Sequence, residues 1–153
     1  MSSPKISVRN LSKQFLPAHG AAVEALRGID LSIGDGEFVS LIGASGCGKT
    51  TLLRIMGGFE QASEGYVEIV SRAGPLDLVT STVFQEESVF PWLDVEGNVG
   101  YGLRLRGMAR AERREIVDHF IDKVGLSAFK HAYPAQLSGG MRQRVSVARA
   151  FAN

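Results

Sequence analysis

The sequence predicts an α/β fold: a mixed sheet with helices, a small antiparallel β part and a helical subdomain. Three observations predict it. Short alternating or β-branched apolar runs fill the chain up to residue 85, and helical periodicity takes over from residue 86. Between one of those strand patterns and a helix pattern lies a glycine-rich loop. Strands first and helices later describe a sheet-based core carrying a helical insertion.

Taken in order, Lys5–Leu11 alternates apolar and polar as a half-buried strand does. Leu26–Ile33 alternates again through Leu26, Ile29, Leu31 and Ile33. Gly34-Asp35-Gly36 turns the chain into an expected buried strand, Glu37–Ile42. Thr51–Met56 reads as a helix, starting near Lys49 and ended by Gly57-Gly58. Gly65–Val70 and Leu78–Phe84 are two further expected strands, the second ending at Gln85. Val95–Arg106 and Ala109–Val124 read as helices. In the second, Ile116, Phe120 and Val124 repeat at i+4 with Val117 and Ile121 beside them, and the charges from Arg113 to Lys123 form a solvated face. Leu137–Ala152 closes the chain as a last helix. The expected organisation is therefore 1–85, 86–136 and 137–153 within one domain, with no internal repeat.

Composition narrows the classes. With 153 residues, a net charge of +1 and 44% hydrophobic residues, the chain reads as one soluble globular domain at most. Near-neutral charge gives no electrostatic case for a nucleic-acid partner. The single cysteine, Cys47, excludes an internal disulfide and suits a reducing compartment. The polar start, Met1 to Lys5, lacks the apolar stretch of a signal peptide, and no apolar run approaches ~18 residues. The expected location is cytoplasmic, unless a partner holds the protein at a membrane. His19, His119 and His131 show no ligand spacing.

The loop is Gly43-Ala44-Ser45-Gly46-Cys47-Gly48-Lys49-Thr50, which fits G-x-x-x-x-G-K-[ST] in the strand–loop–helix context that gives the pattern meaning. Glycines 43, 46 and 48 let successive backbone N–H groups converge on phosphate oxygens. The helix that follows, through Lys49, Thr50 and Thr51, adds its positive end to the same anion. Lys49 supplies a point charge to the β- and γ-phosphates, and the Thr50 hydroxyl is placed to ligate Mg²⁺. A nucleoside triphosphate is the expected ligand, on a P-loop NTPase core. Cys47 reads as a small loop filler, buried under the phosphates.

A second motif opens the last helix: Leu137-Ser138-Gly139-Gly140-Met141-Arg142-Gln143-Arg144. Ser138 is a favoured N-cap, and two residues without side chains leave the first N–H groups open to an anion. Taken alone this is also what a plain helix cap looks like. Together with Gly43–Thr50 and Gln85, the segment resembles the ATPase subunits of ABC transporters, whose signature reads LSGGQ. The resemblance runs from Lys5 to Asn153. Met141 stands where glutamine is commonest, at a position that varies in the family. Gly57–Glu60, Ser63–Gly65, Val83–Glu86 and Phe90–Leu93 look like the nitrate/sulfonate/taurine importer branch.

What the resemblance implies is an ATP- and Mg²⁺-dependent ATPase that works as a head-to-tail homodimer. Ser138, Gly139, Gly140 and Gln143 of one subunit would cover the γ-phosphate held by Lys49 of the other. Gln85 would touch Mg²⁺ and the attacking water. Phe15 would stack on adenine, or be an ordinary loop aromatic; Val23 would pack the other side of the purine, or sit in the core. Phe90, Pro91 and Trp92 would dock a membrane permease, or simply be buried. A solute-binding protein would act through that permease, and the subunit would lie peripherally on the inner face of the cell membrane. In the family an Asp-Glu strand end and a histidine follow the signature helix. Asn153 precedes both, and the family gives neither Glu86 nor Glu87 the general-base role. The expectation is a fold without its C-terminal part, which binds nucleotide but does not turn it over. Alternatives are a non-transport ABC ATPase and a catalytically inactive nucleotide-binding fragment.

Overall fold

A computed structural model describes residues 4–70, 80–84 and 88–153. The chain divides into two compact units, Met1–Gly74 and Pro75–Asn153.

The first unit is built on three antiparallel strands: β1 (Ile6–Phe15), β2 (Val23–Ile33) and β3 (Glu64–Ile69), in the order β2-β1-β3. Val8 pairs with Leu31 on one side and Val67 on the other. Helix α1 (Lys49–Met56) packs Leu52 and Ile55, one turn apart, into a core with Val8, Leu11 and Leu26. Irregular register after Val8 bends β1, and Gly65 marks the same bend from β3. A Cβ on Gly65 would stand 2.3 Å from the Arg9 and Asn10 carbonyl oxygens, at a φ of +74°. Only glycine fits there.

Two expected strands are corrected. Residues 37–42 form no ladder, and Phe38 and Ile42 are 92% and 94% exposed. Their apolar, β-branched composition favours extension. A strand also needs a neighbour for its N–H and C=O groups, and no described segment pairs with them. Of Leu78–Phe84, residues 78–79 lie outside the described residues and 80–84 form no strand.

The second unit is helical: α2 (Val95–Val99), α3 (Tyr101–Leu105), α4 (Arg110–Lys123) and α5 (Gly139–Ala152), with short 3-10 turns at Ser127–Phe129 and Pro134–Gln136. The expected helix over 95–106 is divided at Gly100, which ends α2 and begins α3. A Cβ at Gly100 would come 3.0 Å from Val117 Cγ2, so the break sits against α4. On α4 the buried pair is Val117 and Ile121, with Ile116, Phe120 and Val124 flanking them half-buried. Val95, Val99, Leu103, Leu126, Leu137, Val145, Ala148 and Ala152 complete this core. Among the described residues no helix is long and apolar enough to cross a membrane.

Candidate nucleotide and signature sites

In the first unit, the loop from Gly43 folds back on itself and delivers the chain into α1. Cys47 N–H donates to the Ala44 carbonyl at 3.4 Å, and Leu52 N–H to Gly48 at 2.9 Å. Gly46 and Gly48 take φ of +80° and +90°, backbone that L side chains disfavour. Gly48 is constrained twice, because a Cβ there would lie 2.5 Å from the Ala25 carbonyl oxygen on β2. The loop is thus pressed against the sheet by a residue that must lack a side chain.

Lys49 turns into the loop. Its Nζ donates to the Gly43 and Ala44 carbonyls at 2.9 and 2.6 Å and lies 3.5 Å from Cys47 Sγ. The ammonium therefore sits at the centre of a curled, exposed backbone, where a polyphosphate would add negative charge. No side chain caps the start of α1. Thr50 is exposed in its first turn, and its hydroxyl is the hard oxygen donor that Mg²⁺ takes. Cys47 is exposed rather than buried.

Phe15 and Val23 are brought together. They are cross-strand partners at the end of the β1–β2 pair, 39% and 57% exposed. Val23 is therefore outside the core. Lys13 Nζ lies 4.8 Å from the Phe15 ring centroid and is held there by Glu60 at 2.7 Å and the Gln61 carbonyl at 2.8 Å. The Lys13 hydrogen bond is the main reason the Glu60 carboxyl lies below its ordinary value.

In the second unit, Ser138 caps α5: its hydroxyl accepts from Met141 N–H at 3.3 Å. Gly139 and Gly140 form the first turn, exposed, and a Cβ on Gly140 would meet nothing within 4 Å. No described residue of this unit requires glycine at 140; an approaching ligand or chain would. Met141 packs against the helical core, which accounts for an apolar residue there. Gln143 Nε2 donates to the Phe84 carbonyl at 3.4 Å, and Arg144 to Val124 at 2.8 Å. Gln85, Glu86 and Glu87 lie outside the described residues.

Phe90 and Trp92 form a cluster with Tyr101, at ring separations of 5.4 Å and 4.5 Å from Phe90. Trp92 is 68% exposed, Pro91 is exposed and Phe90 half-buried. Arg149 lies 4.7 Å over the Phe90 ring and donates to the Ser88 carbonyl at 2.7 Å; burial lowers its pKa. The residue that sequence reasoning missed is Asn98. It is wholly buried, and its Oδ1 accepts from Phe90 N–H at 2.7 Å. Its Nδ2 reaches the carbonyls of Phe90, Leu93 and Asp94 at 3.1, 2.9 and 3.0 Å. A polar residue between Val95 and Val99 on a core-facing helix was the available signal.

The sequence model described as ABC transporter matches residues 26–153. An uncharacterized ABC transporter ATP-binding protein of Methanocaldococcus jannaschii is 46% identical over 97% of the chain and 56% of its own length. A taurine import ATP-binding protein of a Jannaschia species is 41% identical over the same shares. The chain spans little more than half the length of these curated relatives. A solved dimeric ATP-binding cassette, in a post-hydrolysis state bound to ADP and Pi, superposes with a TM-score of 0.82 at 32% identity, over 97% of this chain and 69% of that one.

Proposed function

This chain belongs to the ABC transporter family, with the fold of its ATP-binding cassettes, and we propose that it is the ATP-binding part of an importer subunit. The observation that carries the proposal is Lys49, seated among the Gly43 and Ala44 carbonyls at the end of a loop that Gly46 and Gly48 curl. A triphosphate entering there meets backbone N–H groups, the ammonium and the positive end of α1. Thr50 would hold Mg²⁺, which neutralises the charge that develops on the phosphates. Phe15 and Val23 offer an exposed apolar pair for adenine. Gln85 would orient the attacking water. Hydrolysis is proposed for the whole protein; for these 153 residues the proposal is nucleotide binding.

Two copies would complete each site. Ser138, Gly139, Gly140 and Gln143 of one copy would close on the triphosphate held by the other, and the bare backbone of Gly140 supports such an approach. The dimeric state of the solved cassette supports it as well. Binding energy then favours the closed pair, and loss of the γ-phosphate releases it. Motion would pass to a membrane permease through the exposed patch at Phe90, Pro91 and Trp92, keeping the subunit peripheral to the inner face of the membrane. The taurine import relative supports the nitrate/sulfonate/taurine branch. A solute-binding protein would select the cargo.

The test is a pair of variants in equilibrium ATP binding and in ATP-driven dimerisation by sedimentation. Lys49→Ala is expected to abolish binding, and unchanged affinity refutes the loop assignment. Ser138→Arg is expected to leave monomer affinity intact and block dimerisation. Weakened monomer binding would count against closure by the second copy.

A further inference from the structure

In the helical unit, a cavity of about 550 Å³ opens between the start of α2, α3 and the first turns of α4. None of the residues assigned above to nucleotide, signature or permease contact lines it. Its volume falls within the range of small-molecule sites.

The charges around it are unbalanced. Arg104, Arg110, Arg113, Arg114 and Lys130 line it, against the carboxylates of Asp94 and Glu96. Those carboxylates are already engaged. Asp94 accepts from Gly97 N–H at 2.8 Å and lies 3.6 Å from His131 Nδ1. Glu96 lies 3.5 Å from Lys130 and 3.7 Å from His131. Asp118, on α4, takes Lys130 at 2.5 Å and Arg114 at 3.6 Å. Arg104, Arg110 and Arg113 are left with no carboxylate partner among the described residues. Two of them are nevertheless held in place: Arg104 lies 5.4 Å over the Tyr101 ring, and Arg113 donates to the Met108 carbonyl at 3.5 Å.

The arrangement works against the free protein. Arg110, Arg113 and Arg114 stand at i, i+3 and i+4, where like charges repel. They also crowd the positive end of a 14-residue helix whose N-cap, Ala109, supplies no capping side chain. An anion in the cavity reverses the sign of both effects. A metal ion is the weaker fit. The donor atoms of Asp94, Glu96 and His131 lie within 4.8 Å of one another, but a cation there would face five cationic side chains.

We propose that this cavity binds a multivalent tetrahedral oxyanion, of the phosphate or sulfate class, through Arg104, Arg110 and Arg113. Guanidinium forks match such oxygens in bidentate geometry. The site goes beyond the nucleotide reading and does not rest on it.

The experiment uses the Lys49→Ala protein, so that the phosphate loop contributes nothing, with inorganic pyrophosphate as probe and potassium chloride at matched ionic strength as control. Pyrophosphate at a hundredfold excess over its Kd is expected to raise the melting temperature by about 5 °C more than chloride does. Adding Arg110→Gln and Arg113→Gln is expected to erase that excess. Without anion, the added changes should leave melting equal or higher, because they relieve repulsion. Arg104→Gln, on a different helix, should also reduce the shift. An equal shift in all proteins, or none beyond chloride, overturns the proposal; so does lower anion-free melting of the double arginine change. Flotation with anionic phospholipid vesicles identifies the source of the oxyanion. Arginine-dependent flotation that pyrophosphate competes away assigns it to a lipid headgroup. A retained pyrophosphate shift without flotation assigns it to a soluble ion.

Discussion

Replacing Asn98 with alanine removes the side chain that holds the 90–94 loop against α2. Its amide makes one acceptor contact, from Phe90 N–H, and approaches three carbonyls with two hydrogens. That amounts to three effective hydrogen bonds in a site fully closed to solvent. At about 1 kcal/mol net for each, the loss is about 3 kcal/mol, before any cost of stranding the Phe90 N–H. For a chain of this size that corresponds to roughly 6–12 °C in melting temperature. Thermal and urea melts of the purified variant measure it. Asn98→Leu should be nearly as damaging, since an apolar replacement fills the space but leaves the same backbone groups unpaired. Nucleotide affinity should be unchanged, while the contact proposed above for Phe90 and Trp92 loses its support. Melting of Asn98→Ala within about 2 °C of wild type would refute the ledger, because a wholly buried amide cannot be that dispensable if its bonds are made.

Two further outcomes are expected. Gly48→Ala must place a Cβ 2.5 Å from the Ala25 carbonyl at a φ of +90°, so nucleotide binding should be lost and stability should fall by about 1–3 kcal/mol; tight ATP binding by this variant in calorimetry would contradict the loop geometry. Asp118 and Lys130 set a pH dependence: the Lys130 hydrogen bond, foremost, lowers the Asp118 pKa, and the Asp118 hydrogen bond, foremost, raises that of Lys130. The carboxyl's contribution is present above the ordinary carboxylate range and is lost as pH falls through the lowered pKa. The ammonium's contribution is present below the ordinary lysine range and is lost as pH rises through the raised pKa. Asp118→Asn should therefore flatten both ends of the stability–pH curve. With the Asp118 side chain 43% exposed, the effect should stay at or under about 1 kcal/mol in chemical melts taken across pH.

How much was legible in the sequence depends on how local each determinant is. The backbone of the glycine loop was readable because its conformation is written into neighbouring residues: Gly46 and Gly48 stand where φ is positive, and Lys49 turns back onto the loop. The cap at Ser138 was readable for the same reason, and the helix it starts ends at Ala152, as expected. Strand character at 37–42 was overestimated because pairing is a property of the neighbour and not of Phe38 or Ile42. The division at Gly100 and the choice of Val117 and Ile121 over Ile116 and Phe120 as the buried stripe both depend on how α2 meets α4, which no single helix pattern contains. Asn98 was invisible because its three carbonyl partners and one N–H partner come from an irregular loop. The Arg-lined cavity joins residues up to 37 positions apart, Asp94 to His131, so periodicity read only its Arg113 and Arg114, as part of a solvated face.

The naked stretch of peptide at residue 140 has an evolutionary reading. Alanine there would strengthen the helix by up to about 1 kcal/mol and collide with none of the described residues of its own unit. Selection for abundance alone would drift toward that replacement. Glycine persisting at this place would then report pressure from an encounter with another molecule, and a mutational scan scored separately for expression and for ATP-driven dimerisation would show the two pressures pulling apart at one codon.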